Sequence, residues 1–249
     1  LTTRSGLRIE GLPVSAAALS PHALYVAAGL GDSLVAMAPD GRHAWSLPAG
    51  GRVEAIAWAP DGLRIAYAVR TKAGVQLRLV EGNGHGDELL DRAVRPVRPS
   101  WRADSLAVAY VAAGGRPVVY DLAHRSRRPL SVRDATHVAF APEGTALAVA
   151  TRAGVELSGR RLNVEAPVAG IGWLRGELVD AEGRILRFFR PPGTIDHSRV
   201  VSGSVVALDA RGARIALAVS SRTAVRVVVG LQTVLMVAPG TRVALAGVG

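Results

Sequence analysis

The chain of 249 residues has no cysteine. That excludes disulfides, thiol nucleophiles, Cys-ligated zinc and iron–sulfur clusters together, and it is consistent with an extracytoplasmic protein. Aromatic residues are scarce at 4%, so a core must be built from Val, Ala, Leu and Ile, with a few bulky anchors whose placement carries information. Lysine is nearly missing: Lys72 is the single one, and the positive charge is almost all arginine. There is also no long apolar run. The longest, VVVGLQTVLMVA at 227–238, is broken by Gly230, Gln232 and Thr233 and falls short of the roughly 20 residues a bilayer-spanning helix needs. Disorder is excluded from the other side, since 49% of residues are hydrophobic and the mean hydropathy is +0.25, ample material for burial.

Thirty basic residues stand against 20 acidic ones, a net charge of +10. Such a balance points to polyanionic partners, but the arginines are scattered along the chain, as base composition alone would scatter them. The densest cluster, HRSRRP at 124–129, reads as a single loop, and nucleic acid is not an expected partner. The sequence opens at Leu1 without a methionine, which leads us to expect a preceding segment, such as a signal peptide or anchor.

One pattern recurs. VEAIAWAPDGLRIAYAV at 53–69 reads as strand, turn, strand, and related stretches stand at 97–111, 137–151 and 206–220. Aligned on the large residue before the turn, Leu19, Trp58, Trp101, Phe140, Trp173 and Leu208 become equivalent, with a spacing of about 40 residues. Short alternating strands at this period are the signature of a β-propeller, whose blades are small twisted sheets that bury their faces only on one another. In the second repeat, Ala55, Ala57 and Ala59 keep the inner strand slim near the axis, Trp58 fills the space between sheets, and Pro60-Asp61-Gly62 turns the chain. The expected fold is all-β, a single domain at 1–249 of about six four-stranded blades, near 14–51, 52–94, 95–132, 133–166, 167–201 and 202–240. Residues 1–12 and 241–249 are candidate ring-closing strands, and the alternative is a piece of a seven- or eight-bladed propeller. The fifth blade is expected to be short, because Pro191 and Pro192 interrupt its outer half.

WAPDGLRIAY at 58–67 and FAPEGTALAV at 140–149 resemble the WD40-like repeat of TolB-type bacterial β-propellers, and WRADSLAVAY at 101–110 does so with Pro and Gly lost. The resemblance covers about six repeats. It implies the fold and a place in the bacterial cell envelope, and leaves the ligand open, since related propellers serve as interaction proteins, peptidase lids and sensor modules.

No residue pattern supports catalysis, a cofactor or a metal. The histidines at 22, 43, 85, 124, 137 and 197 show neither HxH nor HExxH spacing, and His85 and His124 fall in expected loops. Asp61, Asp104 and Glu143 recur at the same turn and could ring a channel mouth with carboxylates, although an acid in this turn also caps its own backbone. There is no GxSxG elbow, Ser202 and Ser204 sit where a strand begins, and the glycines of GLGDSL (29–34) and GNGHGD (82–87) do not join a strand to a helix as a phosphate cradle would. The segment RAVRPVRPSWR at 92–102 leaves its arginines for a partner or a solvated rim once Trp101 is assigned to packing. The expected function is therefore a non-catalytic, monomeric, protein- or peptide-binding propeller of the cell envelope. The alternatives are an accessory or gating propeller of a hydrolase or peptidase, and a binder of anionic polymer.

Overall fold

Twenty-four strands in six antiparallel four-stranded sheets make up the computed structural model, which describes residues 14–38, 40–162, 167–191, 194–211, 214–229 and 232–237. The candidate ring-closing stretches 1–12 and 241–249 lie outside the described residues. Blade 1 is β1 (Val14–Leu19), β2 (Val26–Leu30), β3 (Ser33–Met37) and β4 (His43–Pro48), and blade 2 is β5 (Arg52–Trp58), β6 (Arg64–Thr71), β7 (Gly74–Glu81) and β8 (Glu88–Asp91). Blade 3 is β9 (Ser100–Trp101), β10 (Ala107–Val111), β11 (Pro117–Asp121) and β12 (Ser126–Pro129), and blade 4 is β13 (Ala135–Phe140), β14 (Leu147–Thr151), β15 (Gly154–Leu157) and β16 (Arg160–Arg161). Blade 5 is β17 (Gly170–Leu174), β18 (Glu177–Glu182), β19 (Ile185–Arg190) and β20 (Thr194–Val200), and blade 6 is β21 (Ser204–Arg211), β22 (Arg214–Ser220), β23 (Val225–Val229) and β24 (Gln232–Val237). Within each blade the strands pair in chain order, and consecutive blades pack through their inner strands.

Strand alternation explains how so few aromatics suffice. Successive side chains of β5 point to opposite faces, so Ile56 and Trp58 join the core shared with blade 1 while Ala55 and Ala57 join the core shared with blade 3. Across the second interface, blade 2 offers Ala55, Ala57, Ala66 and Ala68, and blade 3 answers with Trp101, Val108 and Tyr110. On the two inner strands the bulky residues of blade 2 thus face its predecessor and the alanines face its successor, while farther out Leu77, Leu79 and Leu90 also face blade 3. At this interface the bulky set of one blade is a knob in the alanine-lined socket of the other, which lets the inner strands approach closely.

The anchors are also hydrogen bonded. Trp58 Nε1 donates to the Ala18 carbonyl (3.1 Å), Trp101 Nε1 to Ala57 (3.0 Å) and Trp173 Nε1 to Ala139 (3.1 Å). The acceptor is always the residue just before the equivalent anchor of the preceding blade. An inner strand is the edge of its sheet, so half its carbonyls face away from the ladder, and a buried indole N–H needs such a partner. Phe140 lacks the donor; there the joint between blades 3 and 4 uses the Phe140 backbone N–H, which donates to Ser100 Oγ (2.8 Å).

The first turn of blades 1 to 4 has one geometry despite four different sequences. Its fourth residue is left-handed in every case: Ala23 (φ 54°), Gly62 (75°), Ser105 (61°) and Gly144 (69°). In blades 1 to 3 this residue's N–H closes the turn onto the carbonyl three back. Blade 5 turns in two residues instead, Arg175 and Gly176, both at positive φ, the type I′ hairpin that suits strand twist.

Two expectations are corrected. The fifth blade is not short: it carries four strands, with Pro191 in the turn between β19 and β20, where its missing N–H costs no ladder bond. HRSRRP is not one loop, because its last four residues form β12, an edge strand exposed along its length.

Candidate functional site

The position after the left-handed turn residue cannot point into the sheet, and in three adjacent blades it holds a leucine. Leu24, Leu63 and Leu106 stand 62%, 64% and 44% exposed. Isolated surface leucines are ordinary, but a row of equivalent ones on one face of a repeat is not. Between blades 1 and 2 the row borders a groove of about 810 Å³. Leu24, Tyr25 and Leu63 line it, Trp45 forms a wall, and the buried Trp58 reaches its floor.

The walls are held by hydrogen bonds. Trp45 Nε1 donates to the Gly82 carbonyl (2.9 Å), tying the outer strand of blade 1 to blade 2. Tyr25 N–H donates to Ser20 Oγ (3.0 Å), and Asp61 N–H donates to Ser105 Oγ (3.0 Å), which links the turns of blades 2 and 3. The polar lining is acid-rich in an otherwise basic protein: Asp61 and Glu81 against Arg64, which lies 3.8 Å from Asp61, with His22 alongside. The arrangement offers apolar contact surface flanked by negative charge, and no nucleophile is held by a base there.

The turn acids resolve into structural roles. Asp61 Oδ1 accepts the Leu63 N–H (2.8 Å), and Asp104 Oδ1 accepts the Leu106 N–H (2.9 Å), so each carboxylate caps its own turn and helps present the leucine two residues on. Asp104 also pairs with Arg102 (2.8 Å), whose guanidinium holds the carboxyl below its ordinary range. Glu143 is exposed on blade 4.

The arginines of 92–102 are mostly committed within the fold. Arg95 donates to the Ala135 carbonyl (2.8 Å), Arg102 holds Asp104, and Arg98 pairs with Asp209 of β21 at 2.8 Å. This last pair joins blade 3 to blade 6, which do not follow one another along the chain. Asp209 is buried, and Arg98 Nη2 and Asp209 Oδ2 have no partner among the described residues.

Three polar groupings escaped sequence reasoning. Tyr67 donates to Asp87 (2.7 Å), which also takes a two-pronged contact from Arg78, and burial raises the phenol above its ordinary range so that it stays a donor. Asp180 is wholly buried beneath Arg187 (2.9 Å), which also reaches Glu182 (2.6 Å); burial outweighs the guanidinium and pushes the carboxyl up to about 6. Glu177, Asp196 and His197 bring ligand-type atoms within 4.8 Å of one another. A β-bulge at Asp196 sets that residue beside its neighbour, and His197 stacks on Phe188 at 4.2 Å. Arg190 already holds Asp196 at 3.1 Å, which makes this an ion-pair cluster. The signal for the first two groupings lay in strand register, since Tyr67 faces Arg78 in one ladder and Asp180 faces Arg187 in another; the third depends on the bulge at Asp196, which no sequence pattern marks. Of the other histidines, His22 lines the groove, His43 and His85 are exposed, His124 sits on Asp121 (3.0 Å), and burial lowers the pKa of the part-buried His137.

No family model matches the chain, and no curated protein sequence matches it. Among solved structures it is similar to the β-propeller domain of Myceliophteria thermophila Cps50 (Swd1), with a TM-score of 0.70 and 14% identity over 93% of this chain and 88% of that one. At such identity the likeness concerns the fold alone. With the repeat and the six sheets already described, it makes this chain an all-β protein with the architecture of a WD40-like β-propeller.

Proposed function

We propose that this chain is a protein-binding scaffold that works by docking and not by turnover, and that its docking surface is the groove between blades 1 and 2. The observation that carries the reading is the exposed set Leu24, Tyr25 and Leu63 gathered against Trp45 in one groove. Aromatic side chains such as Tyr25 and Trp45 are the residue types that carry most of the energy of a protein interface, and apolar neighbours such as Leu24 and Leu63 exclude water around them when a partner docks. The occupant that fits is a peptide segment with an apolar side chain beside an arginine or lysine. The apolar group would lie between Leu24 and Leu63, and the cation would meet Asp61 and Glu81 at the rim, where charge tunes specificity and rate of encounter.

Panning a random peptide library against the folded protein tests this. Enriched peptides should pair a large apolar residue with a basic neighbour, and Leu63→Asp should abolish the enrichment while leaving the melting temperature within a few degrees. Enrichment indifferent to Leu63→Asp, or none at all, would refute the assignment of this groove. We place the module in the bacterial cell envelope on the strength of the TolB-type repeat and the lack of cysteine. Fractionation of cells producing the full gene product would test that placement, and recovery with the cytoplasmic contents would count against it.

A further inference from the structure

The opposite ends of the strands carry a second concavity of different chemistry. Where blades 5 and 6 meet, Ser204 opens β21 directly across the ladder from Ser220, the last residue of β22. Gly203 lets the two strand ends close up: it has φ +149°, and a Cβ there would stand 2.7 Å from the Ser220 carbonyl oxygen. A cleft of about 640 Å³ lies over this pair. Arg184, from the turn between β18 and β19, and Arg222, from the turn after β22, border it, with Ser202 and Ser221 completing the lining. Both arginines are exposed.

The donors are in excess. The lining has two guanidiniums and four hydroxyls and no carboxylate. In the groove between blades 1 and 2, by contrast, the lining arginine, Arg64, stands 3.8 Å from the Asp61 carboxylate. Arg226 stands just behind, its Nη2 donating to the Ser202 carbonyl (2.5 Å) and to Ser202 Oγ (2.7 Å), which adds a third positive charge and holds the serine loop. Ser221 Oγ is occupied by the Ala224 carbonyl (2.9 Å), whereas the hydroxyls of Ser204 and Ser220 have no hydrogen-bond partner among the described residues.

We propose that this cleft is an anion site for a phosphate group, with Arg184 and Arg222 as its charge partners and Ser204 and Ser220 as its hydroxyl donors. Guanidiniums bind phosphate oxygens through short, charge-assisted and often paired hydrogen bonds. A tetrahedral dianion presents enough acceptors for donors arriving from two blades, which a planar carboxylate does not. The group can arrive as free phosphate or as a phosphorylated side chain of a peptide. The site is independent of the groove between blades 1 and 2, which lies on the other face, so failure of one reading leaves the other standing.

Isothermal titration at constant ionic strength, in chloride buffer, tests the site with inorganic phosphate, with a phosphoserine peptide and with the same peptide unphosphorylated. Phosphate and phosphopeptide should compete, and the unphosphorylated peptide should be inert. Arg184→Gln and Arg222→Gln should each weaken binding at least tenfold, and Ser220→Ala should weaken it severalfold. Arg128→Gln, an equal loss of charge on exposed β12, should leave it within twofold. A phosphopeptide at least tenfold tighter than phosphate identifies a phosphorylated protein segment as the source, and equal affinities identify the free ion. The proposal is overturned if neither probe binds at millimolar concentration, or if Arg128→Gln weakens binding as much as Arg222→Gln does, since that result describes diffuse attraction to a basic protein. Circular dichroism melts of each variant establish that lost binding is not lost folding.

Discussion

Replacing Trp58 by phenylalanine isolates the hydrogen bond that joins the first two blades. The indole is 2% exposed, and its Nε1 meets the Ala18 carbonyl at 3.1 Å. Phenylalanine keeps most of the apolar contact, removes the donor and leaves a buried carbonyl unpaired, at a cost of about 1–3 kcal/mol. The missing part of the ring adds a small cavity, which brings the expected loss to about 2–4 kcal/mol. Trp45→Phe is the internal control. It removes an indole bond of similar length, to the Gly82 carbonyl at 2.9 Å, but from a half-exposed site where water can replace it, so the loss should stay below about 1 kcal/mol. Urea titrations followed by far-UV circular dichroism avoid confusion with the altered fluorescence, and the midpoint should move while the slope stays constant. If Trp58→Phe costs no more than Trp45→Phe, the indole bonds are passengers on the packing and the account of the blade interface given above fails.

Three further outcomes follow from particular contacts. Asp180 titrates near 6 in the folded protein against an ordinary 3.8. Between about pH 4 and 6 the folded state therefore binds more protons than the unfolded one, and stability should fall as pH rises through that window, by up to ~3 kcal/mol. Urea midpoints measured across it check the sign, and a rise would show that Arg187 outweighs burial. Gly172→Ala should destabilise by about 1–3 kcal/mol through overpacking, because the new Cβ would lie 2.9 Å from the Ala210 Cβ and carbonyl oxygen in blade 6; a thermal melt unchanged from wild type would refute that packing. Ser105→Ala should cost about 1 kcal/mol in a denaturant titration, since it removes the acceptor of the Asp61 N–H in a turn where the serine is 2% exposed, and a neutral result would show that the link between turns contributes nothing.

The blades were legible because a wedge must be repeated to make a ring, and the repeat surfaces in letters wherever bulk and turn chemistry are both retained, as in WAPDGLRIAY. The anchors at Trp58, Trp101 and Trp173 could be aligned, but their carbonyl partners could not, since the acceptors are featureless alanines known only once the blades are set side by side. For the same reason the turn acids were open to two readings until their oxygens were seen on the Leu63 and Leu106 amides. The docking groove was hidden in plain hydrophobic pattern: Leu24, Leu63 and Leu106 look like core residues in the sequence, and only the left-handed residue before each one turns it outward. The cleft at blades 5 and 6 was out of reach because Arg184 and Arg222 are 38 positions apart and belong to different sheets. The arginines that did attract notice, at 95, 98 and 102, are occupied within the fold.

The three indole bonds of the buried inner-strand anchors all run the same way along the chain: blade 2 donates to blade 1, blade 3 to blade 2 and blade 5 to blade 4. For a chain emerging from the ribosome, each of these three anchors therefore meets an acceptor that has already been made, whereas the peripheral Trp45 waits for Gly82 of the next blade. Shortening from the two ends should have unequal consequences. Cutting from the C-terminus removes donors and leaves alanine carbonyls that water satisfies, whereas cutting from the N-terminus strips the cover from Trp58 and exposes a large ring. Limited proteolysis of the two truncation series would show this polarity as fragments that survive when they keep blade 1 and aggregate when they lose it.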